Sequence, residues 1–389
     1  SRLFFYAYFI FAPIVYEVGS NMGLNIPILL LFLSLKYFFN LNYWYSMQLY
    51  NTLSAKERAA LIKEAGQERL TISFYKYAHI GNPSIFRNHL FINWNELDVL
   101  GRIYVAHEGI NAQLSVPAEN FETFKNQLDG ISFLVNVRLN IAIEQDNLSF
   151  LKLKVKVRKK IVADGLNDDT FDVTNKGIHV DAERFNELIE EPDTVLVDMR
   201  NHYESEIGHF KNAVTPDVDT FRDSLDIIEQ DLKDNKEDKK LVMYCTGGIR
   251  CEKASAYYKH KGFKQVYQLE GGIIEYARQV EKKKLENKFM GKNFVFDHRR
   301  GERISAAIIA QCHQCGKPCD THENCANEAC HLLFIQCEEC AEKMDNCCST
   351  ACQEVHNLPW EEQKKLRKGK VVSNKIFKKG RSEVLKFKK

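Results

Sequence analysis

The chain has 389 residues, 44% hydrophobic and 27% charged, with 54 Lys or Arg against 52 Asp or Glu. That length supplies two or three domains with cores of their own, and the composition excludes a disordered or fibrous chain. A formal net charge of +2 excludes a global field that would attract a polyanion, although residues 361–389 alone carry twelve Lys or Arg against three Glu.

The first 46 residues hold two apolar, aromatic-rich runs, "FFYAYFIFAPIVYEV" and "IPILLLFLSLKYFF". The first lacks a basic flank, and the second is shorter than the ~20 apolar residues that cross a bilayer. They form either a membrane anchor or an extension outside a fold that starts at Met47, where "MQLYNTLSAKERAAL" leads into a helix. The second is the expectation, and with it no membrane association.

From Leu70, "LTISFYKYAHI" is β-branched and aromatic, a strand. "PSIFRNHLFINWNELD" is a helix opened by Pro83, "GRIYVAHEGINAQLSV" two strands joined around Glu108-Gly109, "AENFETFKNQL" a helix and "NVRLNIAIE" a strand. This β-α-β-β-α-β order predicts a ferredoxin-like, acylphosphatase-like α+β domain over residues 47–164. In "FLKLKVKVRKKIVADG", Lys152, Lys154, Lys156 and Arg158 alternate with apolar residues, giving a strand with one cationic face. Edge lysines often only prevent aggregation. With "FYKY" in the same domain they also suit RNA.

The polar, turn-rich stretch 165–178 reads as a linker. Beyond it strands "TVLVDMR", "KKLVMYC" and "QVYQL" alternate with helices "DAERFNELIEE", "TFRDSLDIIEQDL" and "RCEKASAYYKHKG". Alternation of that kind implies a parallel α/β sheet covered on both faces over residues 179–285.

One loop of this domain carries chemistry. In Cys245-Thr246-Gly247-Gly248-Ile249-Arg250 a strand gives way to a helix, so the thiol meets unpaired backbone N–H groups and a helix N-terminus. Two glycines let the loop curl inward, and Arg250 adds a cation. Such a nest favours a thiolate near neutral pH, a nucleophile and a target for oxidation to sulfenic acid or persulfide. The plain alternative is a buried cysteine in a turn. Cys251 is a second thiol six residues on.

Ten of the twelve cysteines fall between Cys312 and Cys352, a cluster that favours metal ligation over disulfides. Cys312-x2-Cys315 and Cys337-x2-Cys340 stand 21 residues apart, close to zinc-ribbon spacing. Cys319, Cys325, Cys330, Cys347, Cys348 and Cys352 are further candidates, enough for a second site. Residues 286–356 are therefore expected to be a small module folded around structural zinc. Residues 357–389 follow as a basic tail that is either solvated or in contact with phosphates.

"VDMRNHYESEIGHFKNA", "CTGGIRCEKA" and "GFKQVYQLEGGIIEYAR" together resemble the rhodanese domain, in which a loop cysteine takes up sulfane sulfur. The pattern maps onto Asp198, Arg200, Glu204 and the Gly208-His209 pair, with Cys245 at the active position and Thr246, Gly247, Gly248 and Ile249 as the anion-cradling loop. Related phosphatases use a loop one residue longer, so the Cys-x4-Arg spacing argues against phosphatase chemistry. Asp198 and Arg200 read as an ion pair that shapes the loop.

"GRIYVAHEGINAQLSVPAENFETF", "KVRKKIVADG", "GKNFVFDHRRGERI" and "CHQCGKPCDTHENC" extend the resemblance to the bacterial oxygen-dependent tRNA uridine hydroxylases, a rhodanese-related family. It implies hydroxylation of the wobble uridine in the tRNA anticodon loop with O2 and an unidentified reductant, in the cytoplasm. It also implies that the His107–Asn111 turn lies near the active loop. No flavin or nicotinamide fingerprint is present, and no protein partner is implied. The competing readings are a sulfurtransferase passing persulfide sulfur to a thiol or RNA, and a zinc-dependent RNA-binding protein.

Overall fold

The computed structural model describes residues 49–167, 170–368 and 385. The apolar extension 1–46 and most of the basic tail lie outside these residues.

Helix α1 (Ala55–Ala65) starts at a capping box, in which Ser54 and Glu57 satisfy each other's amides, and ends at Gly66 with φ of 61°. The chain continues through β1 (Arg69–Tyr77), α2 (Pro83–Glu96), β2 (Leu100–Ala106), β3 (Gly109–Pro117), α3 (Phe121–Asp129), β4 (Asn140–Ile141) and β5 (Leu153–Val157). The sheet order is β4-β1-β3-β2-β5, with β5 parallel to β2. Alternation along each strand divides the sheet into two unlike faces. Phe74 meets Trp94 and Phe124 beneath the helices, and Ile72 is buried with it. The opposite face carries Ser73, Tyr75, Asn111, Gln113, Arg102 and Tyr104, paired across the strands.

The strand expected over "NVRLNIAIE" shrinks to Asn140–Ile141. Asn136 takes a φ of 54°, and the Ile143 amide leaves the sheet to donate to the Glu302 carboxylate at 3.0 Å.

The second sheet is parallel, in the order β6-β10-β9-β7, from β6 (Ile178–Val180), β7 (Thr194–Asp198), β9 (Lys240–Tyr244) and β10 (Gln265–Leu269). Separate cores lie on its two faces. One joins Met243, Cys245 and Cys251 to Leu225 and Ile228 of α6 (Phe221–Asp231). The other joins Val242 and Tyr244 to Phe185 of α4 (Ala182–Leu188) and Tyr276 of α8 (Gly272–Lys283). Between them in the chain lie α5 (His202–Ser205), β8 (Gly208–Phe210) and α7 (Ile249–His260). Leu166 and Phe171, in the stretch read as a linker, pack onto the first core.

The cysteine-rich region is joined to this sheet system by β11 (Phe289–Asn293), which pairs with both β8 and β12 (Glu302–Arg303). A hairpin of β13 (His322–Asn324) and β14 (Leu333–Ile335) follows, then α9 (Glu338–Lys343), α10 (Thr350–His356) and α11 (Trp360–Arg367). The basic tail thus opens as a helix. Lys364 and Arg367 lie over the Trp360 ring at 5.5 and 4.5 Å, and these cation–π contacts at helical spacing explain the order. Among the described residues, no helix is long and apolar enough to cross a membrane.

Two glycines at the start of α8 let it press on the active loop. A Cβ at Gly272, whose φ is +66°, would stand 2.5 Å from the Cys245 carbonyl oxygen and 2.6 Å from that of Thr246. Gly272→Ala should cost about 2 kcal/mol or more. The measure is the urea midpoint, and an unchanged midpoint would mean that the loop yields freely.

Candidate active site

Cys245 follows the last residue of β9, at the carboxyl end of the parallel sheet, where such folds place their ligands. Gly248, with φ of 97°, turns the loop into α7. Its amide donates to Cys245 Sγ at 3.1 Å, and the amides of Arg250 and Cys251 also bond the sulfur. The loop carbonyls are satisfied from the other side, since Ile273 N–H donates to the Cys245 oxygen at 3.0 Å and Ile274 N–H to that of Thr246 at 3.3 Å. One helix terminus therefore charges the sulfur and another fixes the loop.

The thiol is 1% exposed. Burial alone would raise its pKa. The Cys251 thiol, the Arg250 charge and the two amides prevail, and together they bring Cys245 down to about 6. Cys251 moves the opposite way, held well above its usual value by burial and by its bond to Cys245. Arg250 is not a free cation in the cradle. Its guanidinium makes a two-pronged pair with Glu204 at 2.7 and 2.8 Å, which shares out its charge and fixes its direction.

Cys245 lines a cavity of about 390 Å³ with walls from all three regions. Thr246, Gly247, Ile249 and Arg250 form the floor, Ser73, Tyr75, Asn111, Gln113 and Asn140 one wall, and Val295, Phe296, Asp297 and Arg299 another. Tyr75 reaches the loop from the first domain, and its hydroxyl bonds Glu252 Oε1 at 3.1 Å. Burial, Glu252 and Cys245 hold Tyr75 well above its ordinary pKa, so it stays protonated. Among the amide and hydroxyl oxygens of the lining, Asn140 Oδ1, Asn201 Oδ1 and Thr246 Oγ1 are buried without a hydrogen-bond partner. Asn140 is only 3% exposed.

Around this cavity the supporting residues sit in layers. Asp198 and Arg200 form a fully buried pair at 2.6 Å, and Arg200 also donates to the Gly208 carbonyl, tying β7 to β8. His209 bonds the Ser205 carbonyl through Nδ1 at 2.8 Å and is not part of the cavity lining. In the His107–Asn111 turn, Glu108 Oε2 accepts from the buried Lys253 Nζ of α7 at 2.8 Å, and Asn111 reaches the lining. Lys152 and Lys154 line a second, neighbouring cavity, while Lys156 and Arg158 are exposed along the same edge.

The cysteine-rich region brings eight thiols into two groups, Cys312, Cys315, Cys337 and Cys340, and Cys325, Cys330, Cys348 and Cys352. Within each group all sulfurs lie within 4.8 Å of one another, so each could hold a metal ion. Cys315–Cys337 and Cys330–Cys348 stand at 3.6 and 3.7 Å, far beyond the ~2.05 Å of a disulfide. The groups share a further device, an N–H···S bond of 3.4 Å from Cys337 to Cys312 and from Cys348 to Cys325. Cys319 and Cys347 fall outside both groups. The sulfur of Cys319 instead accepts from the Thr321 amide, and Cys347 is buried in the core beside the second group.

Asn140, Phe296 and Arg299 were not singled out from the sequence, and Tyr75 was noted only within the aromatic "FYKY" stretch. Tyr75 and Ser73 had a usable signal, because they occupy the polar phase of a period-2 strand. Asn140 and Phe296 are brought in only by tertiary structure.

A parallel sheet with a Cys-x4-Arg loop at its carboxyl end, and helix amides turned onto the sulfur, defines a rhodanese-type cysteine centre. Family models agree with that class and divide the chain further: a UPF0176 acylphosphatase-like domain matches residues 69–161, a rhodanese-like domain 181–279 and a rhodanese C-terminal domain 290–353. The chain is 55% identical over 334 residues to the tRNA uridine(34) hydroxylase of Photorhabdus laumondii, covering 86% of this chain and 95% of that one. It is 54% identical over 320 residues to that of Leptospira interrogans, covering 82% and 87%. The chain belongs to the tRNA uridine(34) hydroxylase family.

Because the folded-state pKa of Cys245 is lowered, its thiolate persists until the pH falls through about 6. Its alkylation by iodoacetamide should therefore rise through that pH, where an ordinary thiol rises near ~8.5. Cys251→Ala removes a bond that favours the anion, so the midpoint should move upward.

Proposed function

We propose that this chain hydroxylates C5 of uridine 34, the wobble base in the anticodon loop of tRNA, with Cys245 as the catalytic thiolate. The observation that carries this reading is a thiol, cradled by backbone amides, at the floor of a cavity whose opposite wall is supplied by the acylphosphatase-like sheet. A sulfurtransferase needs only the loop, and that reading leaves the wall unexplained. A volume of about 390 Å³ falls within the ~300–1,000 Å³ usual for ligand sites. The unpartnered Asn140 Oδ1 and Thr246 Oγ1 offer hydrogen bonds to the edge of a uracil ring.

The overall change replaces C5–H by C5–OH, with O2, two electrons and two protons consumed and one water released. An external reductant supplies the electrons. The Cys245 anion is a nucleophile suited to C6 of the ring, and addition there places the electron pair on C5, the carbon to be oxidised. The C5 carbanion takes up O2 and a proton to give a C5 hydroperoxide. Loss of the C5 proton and expulsion of the thiolate restore the double bond. Two electrons from the reductant, with two protons, cleave the O–O bond to leave C5–OH and water. A tRNA substrate and free thiols suit the cytoplasm.

We assign zinc to both four-cysteine groups. With Zn–S bonds of ~2.3 Å, a tetrahedron has edges of ~3.8 Å, close to the sulfur separations of 3.6 and 3.7 Å. The ion would have four protein ligands at each site, a closed arrangement that stabilises a fold rather than binding substrate.

Mass spectrometry of tRNA incubated with the protein, O2 and a thiol reductant should show 5-hydroxyuridine at position 34. Cys245→Ser should abolish it, and undiminished product would remove the sulfur from the mechanism. Elemental analysis should give two zinc ions per chain. Cys352→Ser should lose one of them, whereas Cys319→Ser and Cys347→Ser should keep both.

A further inference from the structure

The helix-free face of the first sheet does more than wall the cavity. Cross-strand register places Asn140, Ser73, Gln113, Arg102 and Lys154 in one row, and Tyr75, Asn111, Tyr104 and Lys156 in the next. Each row begins at the active loop, where the nearest side-chain atoms to Gly247 and Gly248 are Asn140 Nδ2 and Tyr75 Oη. Each ends on the edge strand β5, three inter-strand steps of ~4.8 Å beyond β1.

That edge is a concentration of uncompensated positive charge. Arg102, Lys154, Lys156 and Arg158 are exposed, and among the described residues no carboxylate pairs with them or with Lys152. Partial burial, then the charges of Arg102, Lys156 and Lys152, depress the pKa of Lys154, the effect expected of cations crowded without anions. Arg158 also lies over the Tyr104 ring at 5.4 Å.

The edge opens onto a second cavity of about 640 Å³, lined by Arg102, Lys152, Lys154, His298 and Arg300. Phe150, Val295, Phe296 and Asp297 line both this cavity and the one that holds Cys245. The two are therefore neighbours across a thin partition. Phe296 stands in it 38% exposed, braced edge-on by Phe294 at 5.2 Å. The ring thus stands partly open between a cationic groove and a reactive sulfur.

We propose that the anticodon loop crosses this sheet face as single-stranded RNA. The phosphates flanking the target bind at Arg102, Lys152 and Lys154, and Phe296 is the positioning residue on which a base stacks as uridine 34 turns down to Cys245. Positive grooves that track a backbone, with an aromatic side chain for a base, are how single strands are held without a duplex. The inference rests on the uridine-hydroxylation reading and names the route by which that substrate enters.

The test is binding and turnover of one unmodified tRNA by the full-length protein across a salt series. Arg102→Gln with Lys154→Gln should weaken binding and flatten the log–log salt dependence by about 1.4, roughly 0.7 per lost contact to a single strand. Phe296→Ala should lower affinity roughly 5- to 100-fold, and Phe296→Trp should restore it, which a purely structural role for the ring would not predict. If all variants bind with wild-type affinity and slope while wild-type protein makes 5-hydroxyuridine, the route is wrong and the activity stands. If wild-type protein makes no 5-hydroxyuridine yet the variants lose binding as described, the surface stands and the activity falls.

Discussion

A thiol enclosed in an α/β core ordinarily keeps its proton, because the charged form loses its hydration and gains nothing in return. At Cys245 the Cys251 thiol, the Arg250 charge and the backbone supply the return together. Three amides from the first turn of α7 and the residue before it point at one sulfur, and they cannot be displaced without unwinding the helix. The Arg250 charge assists, but Glu204 holds it in a two-pronged pair. The Cys251 thiol and the amides therefore supply the part of the stabilisation that no carboxylate in the site offsets. The rest of the molecule is arranged to keep that turn in place, from the Gly272 contact beneath the loop to the buried Asp198–Arg200 pair behind it.

An anion protected in this way is chemically poised yet poorly accessible, and the first domain determines what reaches it. Its sheet turns one face to two helices and presents the other, polar from edge to edge, to the catalytic loop. Lys253 in α7 and Glu108 in the β2–β3 turn join the two domains by a buried ion pair. Breaking such a pair on one side would strand a charge, so the domains are held in one relation. The cavity can therefore be shaped by both without either having to close over the substrate.

Much of this was legible in the residues, though unevenly. The β-α-β-β-α-β order, the parallel sheet and the cysteine at its carboxyl end follow from periodicity and from glycine placement, both of which are local. The first four-cysteine group was legible as well, because Cys-x2-Cys is a local knuckle. The second was not. Four residues that include a turn separate Cys325 from Cys330, and Cys348, which precedes the Ser349 cap, meets Cys352 in the first turn of α10 at 3.7 Å. Asn140 and Phe296 carry no local mark at all. They enter the cavity because a short edge strand and the segment after β11 happen to converge there, a long-range fact that sequence spacing does not encode.

The cysteine-rich region has a place in this scheme beyond its own stability. The first group lies in a core that includes Tyr203, Phe294, Cys312 and Ile335. Tyr203 and Phe294 stack edge-on at 5.3 Å, and Phe294 braces Phe296 in turn. His313, between two of the cysteines, bonds Glu206 at 3.0 Å. A metal ion at that group would therefore fix, through two aromatic contacts, the partition beside Cys245, and loss of the ion would be felt at a site it never touches. An ion there would matter because the wall is short of regular structure. Among the described residues the segment beyond β11 that bears Phe294, Val295 and Phe296 has no strand partner, so its position depends on side-chain packing that a bound ion would reinforce.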